Sequence, residues 1–350
     1  MVRTVNGDWL IRGRDGRLSA YAPLDEEVRC WAQQHPGGSW SAPRAVGGDQ
    51  RVHPVLALGQ GADGYAHLVT WRPTGAGEAG LVHSTHFRPH LAALDWNRLG
   101  HPGEKGPPTG VPAVAVDAQG RAHVFVRNPA GGVSMRGQKE RGGWGPWRDL
   151  LGRDVEGELA AVTRASGLVE LYATSPEGVL RWTQAGPGHI PELDDEPLKA
   201  DARPGTLTAL PTSDDHVTLF FTDGTDTVCA WRAGADPVPL VTCAGPGPVS
   251  AVRCVLDGVD CTLLAQRSAD GRVAFAAYPT EQESAGAWWT ESGPRLPPGA
   301  RVSVGEDHEG RVVAATLRPD GGELLLTRRK DEPGLALEAW RPVPATPPRP

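Results

Sequence analysis

The sequence predicts an all-β protein, a seven-bladed β-propeller with four-stranded antiparallel blades, and three observations predict it. The first is a turn signal that returns seven times, at Gly16 (RDGR), Gly64 (ADGY), Gly120 (AQGR), Gly167 (ASGL), Asp215 (SDDH), Gly258 (LDGV) and Gly310 (HEGR), in steps of 48, 56, 47, 48, 43 and 52 residues. Each signal lies between two short runs rich in Val, Leu, Ala and Phe, the pattern of a hairpin whose strands flank a Gly- or Asp-containing turn. The second is another turn series in phase with the first: Leu24-Asp25-Glu26-Glu27, residues 74–80, Asn128-Pro129-Ala130-Gly131, Ser175-Pro176-Glu177-Gly178, Asp223-Gly224-Thr225-Asp226, Ser268-Ala269-Asp270-Gly271 and Arg318-Pro319-Asp320-Gly321. The third is coverage. Seven units of roughly 50 residues fill the 350-residue chain, and a period of that size made only of strands belongs to a propeller. It leaves no room for a second domain.

Blade spans follow from the turns: 5–47, 48–100, 101–152, 153–200, 201–245, 246–297 and 298–345. Unit three is the cleanest. Its innermost strand is expected at 111–116, the second at 121–127, the third at 132–138 and the fourth at 144–150. The second strand is too apolar for a face in water (Ala122, Val124, Val126, with Phe125 opposite), as expected for a blade covered on both sides. Fourth strands carry Trp40, Trp96, Trp144 with Trp147, Trp289 and Trp340. Units four and five lack this Trp and have Pro-rich stretches instead. At the N-terminus, Val2 to Val5 precede an Asn6-Gly7 hairpin signal and are expected to add an outer strand to the last blade. The tail at 346–350, within PATPPRP, reads as disordered.

Composition narrows the function classes. Gly and Pro together number 78, which a turn-dense all-β chain needs. Twelve Trp against two Met points to rigid aromatic packing. A net charge of -7 argues against nucleic acid as a partner. Only four of 35 basic residues are Lys, the skew of a GC-rich, actinobacterium-like genome. Five Cys with no CxxC pair do not make a disulfide framework. No leader-like stretch opens the chain and no window is long and apolar enough for a membrane span. These features lead to the expectation of a cytoplasmic protein with reduced thiols and no membrane contact, the alternative being a secreted one trimmed of its leader.

The stretch 120–152, with GRAHVFVR, then GGVSMRGQ, then GGWGPWRDLLG, resembles the repeat of bacterial propeller lectins of the Photorhabdus-lectin and tectonin-like type. Unit one keeps part of that motif (VRCWAQQ, GGSWSAPRAVGG) and unit four keeps SGLVELYATSPEGVLRWTQ. Units five to seven keep the spacing more than the residues. The resemblance implies a seven-bladed ring and a carbohydrate ligand.

Two columns emerge when third strands are aligned. One holds Trp31, Ser84, Arg136, Trp182, Trp231, Phe275 and Leu326. The other, two residues on, holds Gln33, His86, Gln138, Gln184, Ala233, Ala277 and Arg328. Residues two apart share a face, and an aromatic ring beside an amide suits a sugar, the ring taking C–H groups and the amide hydroxyls. Trp31 with Gln33, Arg136 with Gln138, Trp182 with Gln184, and Trp231 are therefore the candidate ligand-binding residues; the competing reading is packing between blades. His83 and His86 are three apart and point to opposite faces of a strand, while Pro89 separates His90, so no metal is expected there. The loops entering innermost strands are polar (Asp49, Arg51 and His53; Asp154 and Glu156; Asp201 and Arg203), and Arg51, His53 and Glu156 are the candidates for acid–base work. SADGRVAF lacks the S-x-D-x-G of a sialidase Asp-box, and no G-x-S-x-G, Walker loop, H-E-x-x-H, WD40 or kelch signature is present.

The expectation is a non-catalytic binding module for a small polar ligand, a carbohydrate foremost, with no cofactor. A single-site lyase, cyclase or hydrolase of specialised metabolism, acting at the axial funnel, is the first alternative. A protein-interaction scaffold is the second.

Overall fold

The computed structural model describes residues 4–48, 50–214, 216–319 and 323–343. Val2, Asp49, Asp215, Asp320, Gly321 and the tail from 344 lie outside them. Strands follow one another through tight turns and form seven sheets, each with four antiparallel strands consecutive in the chain. The innermost strands are Leu10–Arg12, Val55–Gln60, Ala113–Val116, Glu156–Thr163, Thr208–Pro211, Ser250–Leu256 and Arg301–Glu306, and they surround an axis. Among the described residues the single short helix is a 3-10 turn at Glu283–Ala285, and no helix is long and apolar enough to cross a membrane.

The turns form because short polar side chains hold the backbone locally. In blade three, Asp117 leads the first turn. Its carboxylate accepts the N–H groups of Gln119 and Arg121, both at 3.0 Å, and the Arg121 Nε–H at 2.8 Å. Burial alone would raise its pKa, but His123 and Arg121 overcome this and hold the carboxyl well below the usual range. Asp307 repeats the arrangement in blade seven, accepting from the Glu309 and Arg311 N–H groups.

Second strands are buried on both faces. Every residue of Leu18–Leu24, Val217–Thr222 and Val312–Leu317 is buried. In blade three, Val124 and Val126 pack with Trp71 and Leu81 of blade two, while Phe125 packs with Leu171 and Trp182 of blade four. At the inner rim, the Thr163 hydroxyl donates to Val116 O at 2.8 Å, Thr208 to Val249 O at 2.6 Å, and Ser250 Oγ accepts Val304 N–H at 3.0 Å.

The outer rim is joined by tryptophan. Trp147 of blade three donates its indole N–H to Leu99 O of blade two at 3.1 Å, Trp289 of blade six to Thr242 O of blade five at 2.6 Å, and Trp340 of blade seven to Ser292 Oγ of blade six at 3.3 Å. Blade four lacks the fourth-strand Trp, and its third strand substitutes for it: Trp182 donates to Leu150 O of blade three at 2.8 Å. In blade two, Trp96 lies over Gly47 of blade one, whose φ is +81°. A Cβ at Gly47 would clash with the indole and would also strain the left-handed backbone. Gly47→Ala is expected to destabilise the protein by about 2 kcal/mol, read as a lower urea midpoint with an unchanged slope.

The N-terminal segment corrects the sequence expectation. Thr4–Asn6 does not join the last blade. It pairs in parallel with Val55 to Ala57, on the axial side of blade two. The innermost strand of blade two offers an open edge there, and the Asn6 amide donates to Pro112 O and Leu159 O, both at 2.9 Å. Gly7, at φ +84° and tight against Leu58 O, then turns the chain into blade one. Blade seven has its own outer strand, Arg341–Pro342. Blades seven and one instead meet through Val313, Ala315 and Leu317 packed into the blade-one core and through the Arg12 guanidinium donating to Asp307 O at 2.5 Å.

Candidate functional site

Of the third-strand columns, Trp31, Gln33, Trp182, Gln184 and Trp231 are buried, whereas Ala233 is exposed in a turn. Gln33, Gln138 and Gln184 follow the ends of their strands and do the same thing in blades one, three and four. The backbone N–H of each donates to the carbonyl of Leu18, Ala122 or Val169, and its side-chain Oε1 accepts that same residue's N–H at 2.9–3.0 Å. The amide thus extends the ladder by one rung past the strand end. Gln184 also donates to His189 O at 2.7 Å. Trp31 and Trp182 are buried, the latter completely. Trp231 donates to Ala235 O at 2.8 Å and meets Tyr172 edge-on. The Arg136 guanidinium donates to Gly145 O at 2.6 Å and to Leu99 O.

The acid–base candidates are not brought together. Arg51 is largely exposed and pairs with Glu26 at 3.1 Å. His53 is half-buried, and burial lowers its pKa. Glu156 is exposed and sits two blades away, in blade four. None of the three lines the axial cavity.

His83 and His86 do point in opposite directions. His83 Nε2 meets His67 Nδ1 at 3.0 Å beside Trp144, in the interface toward blade three. His86 Nδ1 meets the Tyr21 hydroxyl of blade one at 2.9 Å. The tightest metal-type cluster among the described residues is Asp307, His308 and Glu309, but Arg311 occupies both of its carboxylates. All five cysteines are free thiols and four are buried.

A cavity of about 330 Å³ runs along the axis. Its walls are the innermost strands, each of which turns one edge of backbone N–H and C=O groups inward except where Thr4–Asn6 covers blade two. Side chains add the chemistry: Asn6, Asp8, Gln60, Glu158, Arg301 and Ser303 all line it. Glu158 faces Arg301 at 3.7 Å. Burial raises the Glu158 pKa and Arg301 opposes the rise. Asp8 is open to the cavity yet enclosed by the ring, and desolvation pushes its carboxyl up to about 6. These groups can hydrogen-bond a hydroxylated solute, and the Asp8 carboxyl can hold or release a proton near pH 6.

Sequence reasoning passed over Asp8 and Glu158. One signal was present: Glu158 interrupts an otherwise small and apolar innermost run, GELAAV. Asp8 carried none, because only the inward path of residues 4–9 places it on the axis.

No protein-family model matches the chain, and no curated protein matches it in sequence. Solved structures do match. The BP39L lectin from Burkholderia pseudomallei superposes with a TM-score of 0.71 at 12% identity, over 99% of this chain and 100% of that one. A provisionally assigned 6-phosphogluconolactonase from Bacteroides uniformis gives 0.60 at 15% identity, over 92% and 95%. A fucose-specific lectin from Aleuria aurantia gives 0.51 at 12% identity, over 85% and 98%. The chain is a seven-bladed β-propeller, sharing its fold end to end with a bacterial lectin.

Proposed function

We propose that the protein binds one small, hydroxylated ligand of the carbohydrate class per chain, in the axial channel, without transforming it. The observation that carries this reading is the convergence of Asn6, Asp8, Gln60, Glu158, Arg301 and Ser303 on one cavity. Its volume falls near the lower end of small-molecule sites, about 300–1,000 Å³. Lectins among the proteins of like fold support the carbohydrate class. Repeated sites at the third strands fit less well. Trp31 and Trp182 present no open ring face, and the glutamine amides already hold backbone groups.

The test is a glycan array, followed by calorimetry on any hit. One ligand per chain is expected, with affinity at least tenfold weaker in Glu158→Gln. Two or more ligands per chain, unaffected by Glu158→Gln, would overturn the axial reading in favour of the Trp–Gln columns.

The raised carboxyls favour hydrolysis as a second reading, since a carboxyl titrating near 6 can serve as an acid–base group. Sugar lactones are the substrates to try, given the assignment of the Bacteroides uniformis protein. Turnover that disappears in Asp8→Asn would establish this reading over simple binding.

A further inference from the structure

We infer that Cys254 and Cys261 form an oxidation site: in oxidising surroundings the two thiols join in a disulfide that staples the first hairpin of blade six. The inference is independent of the axial ligand and concerns another part of the ring.

The two cysteines flank Asp257-Gly258, and the backbone makes that dipeptide a two-residue turn. Both residues have positive φ, +51° and +80°, as a type I′ hairpin requires. The strands it joins, Ser250–Leu256 and Val259–Arg267, are antiparallel, and Cys254 opposite Cys261 is the third pair from the turn. Directly opposed residues share a face, with Cα atoms about 4.5–5.5 Å apart. Disulfides bridge Cα separations of about 4.4–6.8 Å, so closure needs side-chain rotation rather than strand movement. Packing agrees with the shared face. Cys254 lies with Leu263, Ala265 and Val304 in the interface toward blade seven, and Cys261 alternates onto the face of Leu263 and Ala265. No other two of the five cysteines are opposed. Cys30 faces Tyr21 and Arg44, Cys229 faces Pro239, and Cys243 follows the end of Val238–Thr242.

The hairpin tip anchors the next blade. Asp257 Oδ1 accepts from Arg329 Nη2 at 2.8 Å and its Oδ2 accepts the Gly334 N–H at 2.7 Å. The opposite flank is in water, with Val255 and Val259 56% and 48% exposed. A strand pair covered on one face frays at low cost, and a cross-link beside the tip opposes that.

The oxidant is a small disulfide, oxidised glutathione. One cysteine thiolate attacks a glutathione sulfur and expels one glutathione thiolate. The other cysteine thiolate then attacks the protein sulfur of the mixed disulfide and expels the second. The two expelled thiolates take up the two cysteine protons, and the protein's two electrons reduce one glutathione disulfide to two thiols. Burial pushes the Cys254 thiol up to about 12 and raises Cys261 as well, which suppresses attack in the folded ring. Closure therefore belongs to the folding chain, before blade seven covers the pair.

The experiment is refolding of the full chain from urea with excess oxidised or excess reduced glutathione, then alkylation of the remaining thiols. Trypsin releases both cysteines on one peptide, residues 254–267, apart from the other three. After oxidative refolding most of this peptide is expected unalkylated and two hydrogens lighter than its dithiol; after reductive refolding it should carry two alkyl groups. The oxidised protein should melt about 3 °C higher. Cys254→Ala, with a small apolar side chain for a buried position, should abolish that difference.

Two alkyl groups on the peptide after oxidative refolding, or glutathione left on either cysteine, overturn the site. A closed peptide without the thermal gain, or a gain that persists in Cys254→Ala, overturns the staple.

Discussion

Trp182→Ala is expected to lower the unfolding free energy by about 4 kcal/mol, the upper range for deleting a buried aromatic side chain. Trp182 is completely buried between blades three and four, among Val133, Met135, Leu150 and Leu171. Its indole N–H is the partner of Leu150 O. Gly152 leaves the space the ring fills, since a Cβ there would lie 2.9 Å from the indole. Truncation therefore removes packing, opens a void in the interface and leaves a carbonyl without its donor. Trp182→Phe should recover most of the packing and cost about 1–2 kcal/mol. Urea unfolding followed by far-UV circular dichroism measures both. Ligand affinity of the folded variant should match wild type. Wild-type stability together with lost glycan binding would overturn this assignment and return the third-strand tryptophans to the ligand site.

Acidification from pH 6.5 to 5 is expected to cost roughly 3 kcal/mol of stability through the His67–His83 pair. Both imidazoles are buried, and burial lowers them to about 4 and about 3 respectively; Asp63 opposes the shift at His67, and His67 adds to it at His83. His67 Nε2 and His83 Nδ1 have no hydrogen-bond partner among the described residues, so neither ring has an acceptor waiting for an added proton. In the unfolded chain both titrate near 6.5. Within this window the unfolded state binds protons that the native state refuses, so stability falls as pH falls. Asp8 works in the opposite sense, because its native pKa of about 6 lies above the unfolded value. Measuring in the Asp8→Asn background removes that opposing contribution. His67→Leu with His83→Leu should flatten the curve between pH 6.5 and 5, a window above most carboxylate titrations. An equally steep curve in that double variant would place the acid sensitivity elsewhere.

The turn series was legible because turns are written in few residues. Asp117, Asn128 and Asp223 each hold their own turn through side-chain bonds to N–H groups two and four positions on, so identity and spacing suffice. The Trp of the fourth strand was equally plain, but its purpose was not. The same residue type can stack on a sugar or latch one blade to the next, and only the partner atom tells them apart. For Trp147 that atom is Leu99 O, 48 residues away. Gln33, Gln138 and Gln184 are ambiguous for a related reason. A glutamine that completes a ladder reads the same, in a column, as one that waits for a ligand.

The path of residues 4–9 was beyond sequence reasoning. Val5, Asn6 and Gly7 carry a local hairpin signal, and what overrides it is an open strand edge on blade two together with carbonyls of Pro112 and Leu159, contributed by blades that form more than a hundred residues later.

Sequence by itself determined the strand class, the number of blades and the turn positions, since each depends on interactions spanning only a few residues and repeated seven times. Tertiary structure alone decided which side chains are committed to packing, where the N-terminal strand lies, and that Asp8 lines the axis with no partner among the described residues. Those properties depend on which atoms of distant blades come within hydrogen-bond reach, and a linear order of residues does not contain that distance.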